Sequence, residues 1–575
     1  MGILGGLSVG LLIGFVNGFL VSRTTIPSLI ITIGTMFGTM GLTLGLTVLI
    51  AGSTGVFMTP DPVSKFLLGE SIGGMFRITT LWWVGFIVVI FFLLHLSPFG
   101  NWVYALGGDK VSARNAGIPT NKLTIGLYML SGFAAAFVGV SQVLTFQSAQ
   151  VAAGQAFIFN SIMCVVIGGV LLTGGAGTVV GIVLGTLTFA VVNQGIFFSG
   201  LDPNYGSIII GAMLLIAVMS NDSFRQMAMS MQRRRSEAGT MEMIGRFIRM
   251  PGAGAVISLI GVIAFYVIFG GVDLVKLGGA ASWVNFAANL GIVAIPVGLL
   301  MIAGELDISI GAMIPAGSMA TAIISGYYEQ PIVVGMLGAL GIGVLVGLIN
   351  GLLTVRTTVP SLIITLGTLV AMQGVVLAAS KLLTGKASVA ITAPDWAKAI
   401  FGQLIGGSHQ IIIVWWVVFA LVIGFVVHAT RYGNWIFAIG GDKVSARNIG
   451  IPVRKVTILL FVLSATSASF VGMCQAILFN SAQVSGGMNI IFNAIVSVVV
   501  GGVLLTGGFG SVLGVFFGTL TFAVVIQGIY FTDIDRNWAN LIIGAMLMLA
   551  VLMNENFRKL ALSYMPKKKM AEAVQ

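Results

Sequence analysis

Long runs of residues without any Asp, Glu, Lys or Arg dominate the sequence, and they constrain the fold more than any other feature. Residues 332–353 and 410–429 are two such runs, and a helix needs about 17–25 mostly apolar residues to cross a bilayer. Only 8% of the chain is charged while 57% is hydrophobic. A soluble domain carries about a quarter charged residues, because its surface must face water. The chain is therefore predicted to be a polytopic membrane protein.

The formal net charge of +11 does not indicate nucleic acid. With so few charges in total, the position of the cations relative to the membrane matters more than their sum. Cys164 and Cys474 both lie in apolar stretches, and the three histidines are far apart in sequence. We therefore expect no disulfide framework and no metal site, and we expect no nucleic acid among the partners.

An internal duplication is visible in one long, nearly identical segment. Residues 107–119 read GGDKVSARNAGIP, and residues 440–452 read GGDKVSARNIGIP. The same alignment, continued without a gap, pairs Trp82-Trp83 with Trp415-Trp416. It also sets Met1 against Val334, so the first copy is expected to lack a counterpart of residues 241–333. Repeats of this length must be recognised first, because they decide the architecture.

The duplication and the apolar runs together predict the domain organisation. We expect an N-terminally truncated repeat at 1–221, a basic cytoplasmic linker at 222–250 and a full repeat at 251–575. The predicted fold is all-α and polytopic, with about 17 transmembrane helices, about 7 in the first repeat and about 10 in the second. One of the predicted spans covers 488–507. The high glycine content is attributed mainly to close packing of helices in lipid.

The cations predict the orientation. When the C-terminus with Lys567–Lys569 is placed in the cytoplasm, most of the 28 Lys and Arg fall on the same side, as the positive-inside rule expects. The linker and the loops around 107–119 and 430–455 then share that side. Both repeats have the same orientation on this count, so the duplication is predicted to be parallel.

The two segments 107–119 and 440–452 are the strongest candidates for a functional role. In each, a double glycine is followed by an Asp that can cap a short helix, and a later glycine ends that helix. Loops usually diverge faster than spans between duplicated copies, whereas here the loop is the better preserved part. We therefore predict that these segments, the first and the second coupling segment, bind a cytoplasmic partner. The candidate residues are Gly108, Asp109, Ala113, Arg114, Gly117, Gly441, Asp442, Ala446, Arg447 and Gly450.

The chain resembles the permease subunits of bacterial ATP-binding-cassette importers for simple sugars, of the ribose/xylose/galactose type. The resemblance rests on the two coupling segments, on the sequence GELDISIG at 304–311 and on the GGVLLTGG pattern at 501–508. It implies a tandem fusion of two permease subunits in the bacterial inner membrane. It also implies ATPase subunits docked on the coupling segments, and a periplasmic binding protein that delivers the sugar.

Glu305 and Asp307 form an acidic pair beside apolar residues. Ionisable groups at membrane depth are costly and frequently functional, which would place both in the substrate pathway. If the preceding span ends near Gly304, however, the two carboxylates would favour the N-terminus of the next helix. The sequence leaves both interpretations open.

Amide side chains recur at equivalent positions of both copies. An amide can bridge two helices, or it can line a pathway and bind sugar hydroxyls without the cost of a buried charge. The candidate pathway residues of this kind are Gln142, Gln150, Asn160, Gln475, Gln483 and Asn493.

The sequence contains no G-x-x-x-x-G-K-[ST] phosphate loop and no set of residues suited to hydrolysis. We therefore expect that the chain is not an enzyme, binds no cofactor and uses ATP only through partner ATPases. The alternative is an ion-coupled secondary transporter of a small polar solute, which would need intramembrane carboxylates or broken helices in both halves. The sequence does not identify the sugar, and the alternative of a dimer of chains stays open.

Overall fold

The computed structural model describes residues 1–198, except 25, 73–75, 152 and 171–173, and residues 253–545, except 506, 533–535 and 539. The predicted linker at 222–250 lies outside the described residues. The predicted domain boundaries therefore stay predictions.

Helices make up most of the described structure, in agreement with the predicted all-α polytopic fold. The helices of the first part of the chain are Gly2–Arg23, Ser28–Ala51, Pro62–Ser64, Ile78–His95, Pro98–Gly108, Lys110–Asn115, Thr120–Phe146, Gln155–Ile167 and Val179–Phe198. Those of the second part are Ala253–Gly270, Leu277–Ile302, Ile310–Ala322, Ile332–Arg356, Ser361–Thr384, Asp395–Ala397, Ile412–Ala429, Arg431–Gly441, Lys443–Asn448, Val453–Phe479, Met488–Val500 and Val512–Gly528. From Gly2–Arg23 onward, each element of the first part has a counterpart, in the same order, from Ile332–Arg356 onward.

Eleven helices of the described residues are long and apolar enough to cross a membrane, and four shorter apolar helices accompany them. One of the shorter helices is Met488–Val500, where a span over 488–507 was predicted. It stops because Gly501 and Gly502 follow, and Gly502 has a positive φ of 87°. Glycine adopts this conformation readily, whereas a residue with a side chain does not.

Short strands connect the long helices. Gly55–Phe57 pairs with Ser148–Gln150, and its counterpart Ser388–Ala390 pairs with Ser481–Gln483, both antiparallel. The remaining strands form two small hairpins, Ser71–Ile72 with Phe76–Arg77 and Leu404–Ile405 with His409–Gln410.

The described residues form two compact units. The first consists of Met1–Val191 and Asp535–Ala545, and the second contains Val192–Ile534. In the first unit, the backbone of Leu541 occupies the space where a Cβ at Gly41 would lie. Leu541 thus packs against the helix Ser28–Ala51, although the sequence assigned it to the second repeat.

Glycines permit the closest helix contacts in both units, as the composition predicted. In the first unit, a Cβ at Gly14 would lie 2.4 Å from the carbonyl oxygen of Tyr128. At the equivalent position of the second unit, a Cβ at Gly347 would lie 2.5 Å from Cα of Val462. The absence of side chains lets these backbones approach, which is a common mode of helix association in lipid.

Candidate functional site

Each coupling segment contains a short helix with the predicted caps. The side chain of Asp109 accepts a hydrogen bond from the backbone N–H of Ser112 at the start of the helix Lys110–Asn115. Asp442 does the same with Ser445 at the start of Lys443–Asn448. An Asp at this position satisfies one of the backbone donors that a helix N-terminus leaves free. We call these two helices the first and the second coupling helix.

A glycine ends both coupling helices, also as predicted. Gly117 has φ of 82° and Gly450 has φ of 84°. In the second coupling helix, the N–H of Gly450 donates to the carbonyl of Arg447, and that of Ile451 donates to Ala446. These two bonds form a Schellman motif, which requires the left-handed conformation that glycine adopts at least cost.

The residues that are exposed on the two coupling helices differ in part from the predicted contact residues. Ala113 and Ala446 are only 3% and 2% exposed, so they seat the helices against their own unit and cannot offer side chains to a partner. Arg114 and Arg447 are exposed. Val111 and Val444, which the sequence argument did not single out, are 67% and 63% exposed. Each helix therefore presents a valine and an arginine to a partner.

The glycines before the coupling helices lie in tight junctions. A Cβ at Gly440 would come within 1.7 Å of the carbonyl oxygen of Ile302 and within 2.5 Å of the backbone nitrogen of Gly508. The N–H of Gly508 in turn donates to the carbonyl of Ile302 at 2.8 Å. Gly441, by contrast, has open space around it. The backbone before the second coupling helix is thus in direct contact with the end of the helix Leu277–Ile302.

In the first unit, Gly107 makes the equivalent close approach. A Cβ there would lie 2.6 Å from the backbone nitrogen of Gly175, while Gly108 has open space. The sequence named Gly108 and Gly441 as coupling residues, but the close contacts belong to the first glycine of each pair.

A break of seven residues, 303–309, separates the helices Leu277–Ile302 and Ile310–Ala322. It begins with a Schellman motif in which Gly304 has φ of 76°, and the N–H of Glu305 donates to the carbonyl of Leu300 at 2.8 Å. We call residues 303–309 the helix break. Non-helical backbone at such a place needs hydrogen-bond partners from neighbouring elements.

Hydroxyl groups of the helix Ser361–Thr384 supply those partners. The N–H of Leu306 donates to Oγ of Ser361 at 3.0 Å, and the N–H of Ile308 donates to Oγ1 of Thr365 at 3.3 Å. The helix break is thus held in place by the adjacent helix.

The two carboxylates of the helix break have different surroundings. Glu305 accepts a hydrogen bond from Nζ of Lys443 at 2.5 Å and forms an ion pair with it. Asp307 is fully buried, and its Oδ1 accepts hydrogen bonds from the N–H and the hydroxyl of Ser309 at 2.9 and 2.6 Å. These bonds join Asp307 to Ser309, the residue that precedes the helix Ile310–Ala322, and the interpretation as a helix cap stays a prediction. A role of either carboxylate in the substrate pathway stays a prediction.

The candidate amides occupy several environments. Gln475 is half-buried and donates to Oδ1 of Asn289 at 3.3 Å, and Asn289 donates to Oε1 of Gln410 at 2.8 Å. These three residues line one cleft in the second unit. Gln475 thus bridges helices and also borders an open space, and the alternatives of bridging and pathway lining are both compatible with this position.

The other amides are not gathered into that cleft. Gln150 and Gln483 are exposed on equivalent strands, paired with Gly55 and Ser388. Gln142, Asn160 and Asn493 are half-buried on helices.

Two features of the site were not predicted from the sequence. The ion pair of Glu305 with Lys443 was missed, although both residues lay in segments already singled out, because more than a hundred positions separate them in sequence. Asn289 was missed because a lone Asn in an apolar run carries no spacing signal. Among the described residues, no group of three or more His, Cys, Asp or Glu could hold a metal ion.

Comparison with known proteins identifies the family. The model of the family described as "Branched-chain amino acid transport system / permease component" matches two regions, residues 1–218 and 279–551. These regions contain both coupling segments and the helix break. No solved structure matches the chain.

Curated relatives align with about half of the chain and with most of their own length. The fructose import permease protein FrcC of Rhizobium meliloti is 28% identical over 315 residues, which is 53% of this chain and 85% of that protein. The inner membrane ABC transporter permease protein YjfF of Escherichia coli is 32% identical over 274 residues, or 46% of this chain and 80% of that protein.

The ribose import permease protein RbsC of Escherichia coli is 33% identical over 181 residues, which is 30% of this chain and 56% of that protein. The relatives are named as permeases and not as enzymes. With a family match in each half, and with FrcC and YjfF each aligned to about one half, the chain belongs to this family of ABC transporter permease components, as a tandem fusion of two permease units.

Proposed function

We propose that this chain is the membrane-spanning permease of an importer that moves a simple sugar, a pentose or a hexose, at the expense of ATP hydrolysed by separate subunits. The observation that carries the proposal is the family match in both halves, together with relatives named for the import of fructose, ribose and xylose/arabinose. Neutral polyhydroxylated solutes suit a pathway bordered by amides, because amides bind hydroxyls without the cost of buried charges.

In this proposal, the two coupling helices bind the ATPases. Val444 and Arg447 are exposed on the second helix, and Val111 and Arg114 are exposed on the first. A valine can fill an apolar pocket of a partner, while an arginine can form a charge-assisted bond with a carboxylate. The chain contributes two equivalent docking helices, as a pair of separate permease subunits would.

The proposed architecture has about 17 spans in two parallel repeats. Eleven long apolar helices and the recurrence of each element in the same order support it. We place both coupling segments on the cytoplasmic side of a bacterial inner membrane, which agrees with the distribution of cations. A periplasmic binding protein then delivers the sugar on the opposite side.

Co-purification and reconstitution test the proposal. The tagged chain is expressed with the ATPase and the solute-binding protein encoded beside it, and the mass of the complex is measured. Proteoliposomes are then assayed for ATP-dependent uptake of D-ribose, D-fructose and D-xylose. We expect two ATPases on one chain and uptake of at least one sugar.

A charge reversal tests the docking surface. The double variant Arg114→Glu with Arg447→Glu should lose ATPase binding, because both arginines are exposed on the coupling helices. Lys386→Glu, an exposed cation on a different loop, is the matched control and should bind normally. One ATPase for each chain would instead indicate that two chains pair. No ATPase, with uptake driven by an ion gradient, would favour the secondary transporter and reject the proposal.

A further inference from the structure

The ion pair of Glu305 with Lys443 joins two segments with different proposed roles. Lys443 is the first residue of the second coupling helix. Glu305 lies in the helix break, between two helices of the second unit. Nζ of Lys443 and Oε1 of Glu305 are 2.5 Å apart. The bond thus connects the surface that would bind an ATPase to the break between two apolar helices.

The burial of the two side chains is unequal. The side chain of Glu305 is 8% exposed, and that of Lys443 is 43% exposed. A buried carboxylate without a partner is costly, whereas the lysine can regain its hydration on leaving. The ion pair therefore favours a position of the second coupling helix close to the helix break. A bound partner that pulls this helix away would have to break the ion pair.

Glu305 cannot easily follow Lys443 if the coupling helix moves away. Its backbone is fixed by the Schellman motif at Gly304, and Leu306 is held by the hydroxyl of Ser361. The backbone contact of Gly440 with Ile302 lies beside the pair. A displacement of the coupling helix would therefore act on the end of the helix Leu277–Ile302 and on the helix break together.

We propose that the Glu305–Lys443 ion pair is a positioning link that transmits movement of the second coupling helix to the helix break, so that Glu305 acts in coupling and does not bind the sugar. This inference rests on the proposed function. It assigns Glu305 a third role, beside the two interpretations that the sequence left open. Transmission of this kind needs an element with two arrangements that both sites bias, and a breakable pair at a helix break is such an element.

The first coupling helix offers a matched control. Lys110 occupies the position equivalent to Lys443, is exposed and forms no ion pair among the described residues. Lys110→Met removes the same charge from the same kind of helix without breaking such a link.

The experiment compares Lys443→Met, Glu305→Gln and Lys110→Met in the reconstituted complex with ATPase and binding protein. Uptake of D-ribose, D-fructose and D-xylose is measured for each ATP hydrolysed, and bound ATPase is quantified. We expect the first two variants to lose about tenfold in sugar moved per ATP, in the range of ordinary coupling free energies, with normal ATPase binding. Lys110→Met measures what the loss of a lysine from a docking helix costs by itself, and Lys443→Met should lose clearly more sugar per ATP than Lys110→Met.

The exchanged pair, Glu305→Lys with Lys443→Glu, should recover most of the lost coupling, since it restores the attraction in the opposite sense. Unchanged sugar per ATP in the single variants would overturn the inference. Loss of ATPase binding in proportion to uptake would also overturn it, because the lysine would then serve docking alone. If a single variant does not fold, the neutral pair Glu305→Gln with Lys443→Met replaces it, because no buried charge is left unpaired. This neutral pair should show the same loss of sugar per ATP.

A readout without sugar separates this inference from the proposed function. If the wild type carries none of the three sugars, the proposed substrate class fails. Lys443 and Lys110 are then labelled with an amine reagent in the complex with the ATPase. The labelling is compared with the ATPase trapped in its ATP-bound state and with the ATPase not trapped. A change in labelling at Lys443 that exceeds the change at Lys110 supports the link, because contact with the ATPase shields both coupling helices alike. Equal labelling of Lys443 in both states overturns it.

Discussion

The side-chain amide of Asn350 donates a hydrogen bond of 2.9 Å to the hydroxyl of Ser309, at the end of the helix break. Thr368 in turn donates to Oδ1 of Asn350 at 2.6 Å. Asn350 is fully buried, and it joins the helices Ile332–Arg356 and Ser361–Thr384 to the start of Ile310–Ala322. One amide therefore joins two helices to the end of the helix break that carries Ser309.

Asn350→Leu should destabilise the protein by about 2 kcal/mol, because it removes the two hydrogen bonds that join Asn350 to the buried hydroxyls of Ser309 and Thr368. Thermal unfolding in detergent measures the effect. The control is Asn17→Leu: Asn17 is half-buried and accepts one hydrogen bond, from Thr35 at 2.7 Å. A loss at Asn17 as large as that at Asn350 would contradict the proposed importance of the bond to the helix break.

Asp307 should respond to pH in the direction that its burial requires. Burial raises the pKa of its carboxyl group above the ordinary value of 3.8. A carboxyl group whose pKa is raised by folding does not lower stability at low pH, because it is protonated in both the folded and the unfolded state. The free energy of unfolding falls as the pH rises toward the pKa of the folded state. The wild type should therefore lose stability relative to Asp307→Asn as the pH rises from about 4.

Melting temperatures of the wild type and Asp307→Asn, measured across this pH range, check the sign. Asp109 provides the opposite case: the hydrogen bond from Ser112 lowers the pKa of its carboxyl group. The cap at Asp109 should therefore weaken as the pH falls. A wild type that gains stability relative to Asp307→Asn with rising pH would contradict this prediction.

Gly440→Ala should disturb the junction beside the second coupling helix. The added Cβ would clash with the carbonyl oxygen of Ile302, and overpacking of this kind costs about 1–3 kcal/mol. Gly441→Ala is the control, because the space around Gly441 is open and both glycines belong to the helix Arg431–Gly441. Equal melting temperatures of the two variants would mean that the junction can open without cost.

Ala446 and Val444 should respond in opposite ways to substitution. Ala446→Leu is expected to lower stability, because Ala446 is 2% exposed and has no room for a larger side chain. Val444→Asp should leave stability nearly unchanged, since the residue is 63% exposed, but should weaken ATPase binding. Melting temperature and co-purification, measured on both variants, separate the two effects. Normal ATPase binding by Val444→Asp would remove this valine from the docking surface.

The sequence by itself determined the membrane character, the duplication and the caps of the coupling helices. Apolar runs, repeated letters and the Asp and Gly around 109–117 are local signals, and each acts on residues close in the chain. The apolar run at 488–507 predicted a span of that length, but the helix Met488–Val500 ends where Gly501 and Gly502 follow it.

Only the tertiary structure decided which of the predicted residues meet. Glu305 reaches Lys443, Asn350 reaches Ser309, and Ala446 faces its own unit because helices distant in sequence pack at particular angles and depths. A six-residue helix such as Lys443–Asn448 has too few turns to reveal its buried face by periodicity. The ion pair from which we infer a coupling role for Glu305 therefore depends on a neighbour that no local pattern could identify.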